Sequence, residues 1–462
     1  MNGKSIRYER DLPLGEPCDV AVCGGGPAGC AAALSASRSG ARVVLLESQG
    51  QLGGAATSGL VSHWLGGRTR GGDWVVGGLF RELAEAAAAE GFALLPTADA
   101  HTLTPHGWIA GLAHGVPFDP FAMARLLDKT LAAAGVDVVL ATQAVDALVE
   151  DDRISHVVAH NKSGLQAIPA SAVVDATGDA DLAHRTGCPV LAGREEDGLM
   201  APASLEFHVC GVDQDALAEY IAENKEPRFR ALIADLRERG QWPFPYDIFI
   251  SVQLQEKGTM MINTTRLVDV NGTEGRSVSD GLVRGREEVA ELFAVMRRHI
   301  PGFAGAHLKA VAPMLGVRES RRIEAQTHLT VEDVRQGRDW PDTIGYSAYG
   351  WDMPDPKRPS HQPFHGKGHE KPPFTAIPFG VMVPRGVDNI VCPGRAIGVE
   401  REVLGPLRVM APCMAMGEAA GRGRAPDREP REPGVAARSR TAQLQEGRSF
   451  HPTRLDVCGS PP

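Results

Sequence analysis

A chain of 462 residues, 43% apolar and 23% charged, is long enough for two or three domains and has the composition of an ordinary globular protein. Its net charge of −9 gives no electrostatic support to a nucleic-acid partner, and no apolar run approaches the ~20 residues needed to span a bilayer. The N-terminus MNGKSIRYERDLPLGEP is polar, and the eight cysteines never fall in a CxxC spacing, so a reducing, cytoplasmic setting without a dithiol pair is expected.

Residues 1–16 read as a loose lead-in. The next stretch, 20–47, is VAVCGGGPAGCAAALSASRSGARVVLLE. An apolar strand ends in Gly24-Gly25-Gly26-Pro27-Ala28-Gly29, a small-residue helix follows, and a second apolar strand closes on Glu47. This is the strand–turn–helix–strand order of the dinucleotide-binding fingerprint. Gly24 permits the tight turn, Gly26 lets a pyrophosphate approach, and Gly29 lets the helix pack on the strand. The helix N-terminus offers N–H groups and a partial positive charge to phosphates, with Pro27 and Ala28 in its first turn. Glu47 stands where a carboxylate can accept hydrogen bonds from ribose hydroxyls.

The glycine-rich turn GGAATSG at 53–59 can pass close to a cofactor through Gly54, Ala55 and Thr57. Helices are expected at 78–90 and at 119–134, the latter opening on Asp119 with Pro120 at its first position. A strand reaches Gln143-Ala144-Val145, where the backbone of Ala144 and Val145 can meet an adenine edge. Segments 144–150 and 154–160 form a hairpin around Asp151-Asp152. A further strand ends at Asp175-Ala176-Thr177-Gly178-Asp179 and runs into a helix. Beyond residue 200 the pattern changes to strands at 203–210, 247–253 and 258–264, with helices at 213–223, 227–239 and 278–299. Thr330 and Asp333 have the spacing of a capping box. Residues 352–373 are dense in Pro, Gly and His and read as a loop of the kind that forms lids. DNIVCPGRAIG at 388–398 is a strand ending in a glycine turn with Gly394 and Arg395. LGPLRVMAPCMAMGEAAG at 404–421, with Leu407, Arg408 and Val409, is a small-residue helix whose N-terminus can face a flavin. Residues 426–462, rich in Arg, Pro, Glu and Ser, are expected to be a disordered tail.

The ordered set GGGPAG, GGAATSG, DATGDADLA, GVRESRRI, IPFGVMVPRGVDNIVCPGR and LGPLRVMAPCMAMGEAAG resembles the FAD-dependent oxidoreductases related to the flavoprotein of fumarate reductase and succinate dehydrogenase. The resemblance covers residues 17–421. It implies an α/β fold: a Rossmann-like FAD domain of glutathione-reductase type with an inserted α+β substrate domain. The parts would be 1–199 and 372–425 for the FAD domain and 200–371 for the insertion. It also implies two-electron chemistry at flavin N5 but does not fix the substrate; a small organic, anionic one is expected from Arg401 and Arg318. In succinate dehydrogenases a His near the comparable turn carries the flavin covalently. SGLVSHWLGG around His63 does not reproduce that motif, so non-covalent FAD is expected.

Arg401 stands where many relatives have His. It can hold a carboxylate or relay a proton, with Glu400 or Glu402 as its counter-ion. Arg318, in the RESRR motif, is expected to share a cavity with Arg401, while Arg321 and Arg322 suit an interdomain ion-pair cluster. His63 is a candidate cavity wall or proton carrier. His361, His365 and His369 are evenly spaced, but the prolines and glycines among them argue against a helix, and no metal site is expected. A flavin monooxygenase and a non-catalytic FAD-binding protein are the alternative readings.

Overall fold

The computed structural model describes residues 6–96, 114–364 and 368–424. Its central layer is parallel. Asp137–Val139, Val43–Leu46, Cys18–Cys23 and Gly164–Asp175 lie side by side, and Ile390–Val391 pairs in parallel with the end of the last. Side chains along a strand alternate between faces, and here both faces are covered. Val20, Val22, Val43 and Leu45 pack with the first helix, Pro27–Arg38, whereas Ala21, Cys23, Val44 and Leu46 join a second core with Ile323 and Cys392. Burial on both sides explains why these strands are unbroken apolar runs. The sheet continues as the antiparallel hairpin Gln143–Glu150 and Arg153–Asn161. Asp151 and Asp152 turn it at φ +49° and +58°, the paired left-handed geometry that suits hairpin twist. The lead-in is partly fastened: Gly15 donates to the Ala167 carbonyl at 2.8 Å, and Ala167 donates to that of Pro13 at 2.9 Å.

The first helix packs on the closing helix, Met410–Arg424. A Cβ on Gly417 would lie 2.0 Å from the Ala28 carbonyl oxygen, and one on Gly421 would lie 2.2 Å from that of Ala32. This contact accounts for the small-residue pattern in both helices. The expected helix over 404–421 is broken, because Leu404–Leu407 ends before Met410–Arg424 begins. Pro412 has no N–H to offer the Arg408 carbonyl, which accepts from Cys413 Sγ at 3.3 Å. The break sets Arg408 and Val409 on the wall of a cavity.

A second, antiparallel sheet runs in the order Ser251–Gln253, Met260–Ile262, Phe207–Cys210, His307–Val311. Gln214–Asn224, Arg230–Glu238 and Gly275–His299 are its helices, and Phe207, Phe229, Phe249 and Phe303 lie at the centre of its core. The strands are shorter than expected, since the ladder gives way to isolated bridges at Ala203–Leu267 and Ser204–Gly316. Two ribbons cross the expected boundaries at 200 and 371. Arg321–Ile323 pairs with Val190–Ala192, and Thr343–Ser347 with Thr375–Pro378. The tail 426–462 and His365 lie outside the described residues.

Candidate functional site

A cavity of about 1030 Å³ extends from the glycine turns of the parallel sheet to the antiparallel sheet. At the first end each fingerprint glycine has a distinct steric role. Gly24 sits at φ +105°, where a Cβ would lie 2.4 Å from the Ala176 carbonyl oxygen. A Cβ on Gly29 would lie 1.8 Å from the Gly24 carbonyl oxygen, so Gly29 faces protein and not the cavity. Gly26 lines the cavity, and a Cβ there would meet no protein atom within 4 Å. Pro27 opens the helix with no side chain capping it, which leaves its first turn available to phosphate oxygens. Gly54 seats the second glycine turn against the first: its Cβ would lie 2.9 Å from the Gly26 Cα.

Glu47 lines the same end and also pins the turn, accepting from the Gly25 N–H at 2.6 Å through Oε2 and from the Gln49 N–H at 2.6 Å through Oε1. Asp175 is fully buried and organises the next turn. Its Oδ1 accepts from the Thr177 hydroxyl at 2.6 Å, and Oδ2 accepts from the N–H groups of Leu182 and Ala183 at 2.9 and 3.0 Å. Arg395 clamps that turn from the far side, donating to the Gly178 carbonyl at 2.9 Å and to Asp179 Oδ1 at 2.5 Å. Ala55, Ala144, Ala176, Thr177, Gly178, Asp179, Gly394 and Arg395 all line the cavity. An open side at Gly26, an uncapped helix end and an acidic wall fit the pyrophosphate and ribose of a dinucleotide.

Four expected cofactor residues lie off the cavity, Gly29 of the first turn among them. Thr57 is buried and donates its hydroxyl to the Leu52 carbonyl at 2.5 Å, holding the second turn. The strand pleat turns Val145 away from Ala144, and its carbonyl accepts from Arg185 at 2.7 Å. Leu407 packs in the core beside Leu404 and Trp351.

The other end of the cavity is charged. Arg318 Nη1 donates to the Pro202 carbonyl at 2.7 Å and Nη2 to Asn263 Oδ1 at 3.3 Å. Arg266 Nη1 donates to the Thr265 carbonyl at 2.8 Å and to Ser204 Oγ at 3.3 Å. Arg408 Nη2 donates to Asp352 at both the carbonyl, 2.8 Å, and Oδ2, 3.0 Å. Tyr349 donates to the same carboxylate at 3.4 Å. Burial opposes the charge of Asp352, but Arg408, Arg318 and Arg266 together hold its carboxyl below the usual range. Burial, then Arg266 and Arg408, push the Arg318 guanidinium down. Glu206 is pushed up to about 8 by burial, against the pull of Arg318 and Arg266. Three buried polar atoms here have no hydrogen-bond partner in the protein: Arg266 Nε, Arg408 Nε and Glu206 Oε2.

Arg401 does not share this cavity. It lies in the buried turn Arg401–Val403 and grips Glu319, Nε to Oε1 at 2.8 Å and Nη2 to Oε2 at 2.7 Å. Glu402 is only a secondary partner at 3.5 Å. Glu400 is also structural here, accepting from the Val331 N–H at 2.6 Å at the start of the helix Val331–Arg335. The RESRR motif therefore divides by direction. Arg318 faces the cavity, Arg321 binds Asp181 at 2.9 Å, and Arg322 joins Arg401 on Glu319 at 3.1 Å. His63 is buried and lines the cavity. His361 lines it as well, whereas His369 meets Arg335 at 2.9 Å. Glu206, Arg266, Tyr349 and Asp352 were not singled out from the sequence. The available signal for Glu206 was a charge inside the apolar strand pattern SLEFHVC.

Two consequences can be measured. Gly26→Val should fold with near-normal stability, because its side chain enters open space, yet should purify without FAD; absorbance near 450 nm against protein checks it. Folded Glu206 keeps a proton that the unfolded side chain releases near pH ~4.3. Its contribution to stability should therefore fall as pH rises from there to about 8. Glu206→Gln should remove that share of the decline in urea titrations at two pH values.

The chain belongs to the FAD dependent oxidoreductase family, whose profile matches residues 19–425. It is an FAD-dependent oxidoreductase, and FAD is its cofactor. No curated protein matches the sequence. Among solved structures, p-nitrophenol 4-monooxygenase from Pseudomonas putida is 15% identical, covering 68% of this chain and 70% of its own, with a TM-score of 0.41. A geranylgeranyl bacteriochlorophyll reductase-like protein from Thermoplasma acidophilum is 13% identical over 94% and 84%, at a TM-score of 0.42. A flavin-dependent brominase is 14% identical over 94% and 85%, at 0.45. The family match is broad and does not single out the fumarate reductase branch. Among the described residues no helix is long and apolar enough to cross a membrane.

Proposed function

We propose that this oxidoreductase holds FAD non-covalently along the cavity and binds the anionic group of a small organic substrate on Arg266, Arg318 and Arg408. The observation that carries the reading is the convergence of three guanidiniums, on Arg266, Arg318 and Arg408, on one end of the cavity, with the Asp352 carboxylate among them. Three guanidiniums against one carboxylate leave this end of the cavity with excess positive charge, which a bound carboxylate would offset. When bound, FAD supplies hydride chemistry at its ring. Glu47 would hold the ribose, and Gly26 with the first turn of the helix would hold the pyrophosphate. Arg395 fixes the Gly178 turn that closes over it. Arg266 and Arg318 come from residues 200–371, which act on this reading as the substrate domain inserted into an FAD domain of residues 1–199 and 372–425. The arginine-lined wall and the order of motifs from GGGPAG to LGPLRVM support kinship with the fumarate reductase flavoproteins. A dehydrogenase or reductase of a small carboxylate, working in the cytoplasm, fits these features.

Benzoate and benzamide, matched in shape and different in charge, test the reading through the absorbance change each produces in the bound flavin. Benzoate should bind and benzamide should not. Arg318→Ala should weaken benzoate about tenfold or more, since a charge-assisted hydrogen bond is worth about 1.5–3 kcal/mol, with FAD content unchanged. Equal responses to the two compounds would refute the anion site. Substrate-dependent oxygen uptake with hydroxylated product would assign the monooxygenase reading instead.

A further inference from the structure

We infer that an anion enters this cavity together with one proton, which Glu206 holds. The inference rests on reading the arginine cluster as an anion site. Glu206 lies between Leu205 and Phe207, at the start of the strand Phe207–Cys210, where it is only 2% exposed and lines the cavity. Its Oε2 has no donor. The neighbouring Ser204 hydroxyl is directed elsewhere, to the Thr265 carbonyl at 2.7 Å. The charged groups acting on Glu206 are Arg318 and Arg266, each from a different segment of the chain. An ionised Glu206 therefore depends on the two guanidiniums that an incoming carboxylate would also use.

Three arginines set against Asp352 leave the cluster at net +2 with Glu206 protonated and at +1 with it ionised. A bound carboxylate draws on Arg266 and Arg318 and adds a like charge beside Glu206. Both effects favour its protonated form. The coupling is reciprocal: if the anion raises proton affinity, the proton raises anion affinity by the same factor. Burial pushes Glu206 up to about 8. Below that pH the proton is in place before the anion arrives. Above it, each anion must bring one from water.

Benzoate binding to the FAD-loaded protein, followed by flavin absorbance from pH 6.5 to 9.5, tests the coupling. The probe's carboxyl ionises near 4, so it is anionic throughout. Affinity should be flat up to pH 7 and about tenfold weaker at pH 9. Calorimetry in buffers of different ionisation heat should count close to one proton taken up per benzoate at pH 9 and close to none at pH 6.5. Glu206→Gln should bind benzoate without the pH dependence and more tightly than the wild type at pH 9. A flat wild-type profile with no proton uptake overturns the inference and leaves the anion site standing. A decline that persists in Glu206→Gln also overturns it and assigns the titration to Arg318. If the variant does not load FAD, the proton count on the wild type decides. Failure of benzoate to bind at any pH removes the anion site and the coupling together.

Discussion

Glu319→Ala should destabilise the protein by about 3–5 kcal/mol, the cost of removing one partner from a buried ion pair. Glu319 is fully buried, and both oxygens are engaged. Arg401 takes the two of them at 2.8 and 2.7 Å, Arg322 adds a contact at 3.1 Å, and the Ala201 N–H donates at 2.8 Å. The variant leaves two guanidiniums and a backbone donor stranded where water does not reach. Arg401→Met, which removes a charge and keeps volume, should cost less. Urea denaturation checks both, and a loss below 1 kcal/mol for Glu319→Ala would mean the cluster is open to solvent. This expectation reverses the sequence reading of Arg401. A charge between Glu400 and Glu402, just ahead of a flavin-facing helix, looks like site chemistry, but the buried turn Arg401–Val403 directs it to Glu319.

Gly29→Ala should abolish the folded, FAD-bearing protein, in contrast to Gly26→Val. The added methyl would lie 1.8 Å from the Gly24 carbonyl oxygen and 2.9 Å from its carbon. Both are backbone atoms of the turn itself, so no rotamer change relieves the clash, and the helix must move off the strand. The same helix is held on its other side by Gly417 and Gly421, so that movement also parts it from the closing helix. Expression with loss of both flavin and cooperative unfolding is the expected result. A yellow, cooperatively folding Gly29→Ala protein would show that the turn can yield.

The first βαβ unit was legible because its requirements are local. Strands buried on both faces read as continuous apolar runs, and Gly29 answers to Gly24 within the same turn, although Gly24 itself is confined by the distant Ala176. The charged end of the cavity was not legible for the opposite reason. Glu206, Arg266, Arg318, Asp352 and Arg408 come from five separated segments, and only the packing of the two sheets brings them together. Residue direction was lost at the same scale. Ala144 and Val145 differ by one step of the pleat, and Leu407 and Arg408 by one step at a helix break. Pro412 was the visible cause of that break, since it removes the donor that would have carried one helix through. Of the two arginines flanking Leu404–Leu407, Arg408, expected at the cofactor, lines the cavity and Arg401 does not.

The most direct test of the account is a crystal structure of the protein with FAD and benzoate. It predicts continuous density for FAD from Glu47 past Gly26 toward Val409, with the benzoate carboxylate within hydrogen-bond distance of Arg266, Arg318 or Arg408. Benzoate bound away from those guanidiniums, or FAD outside the cavity, would contradict it.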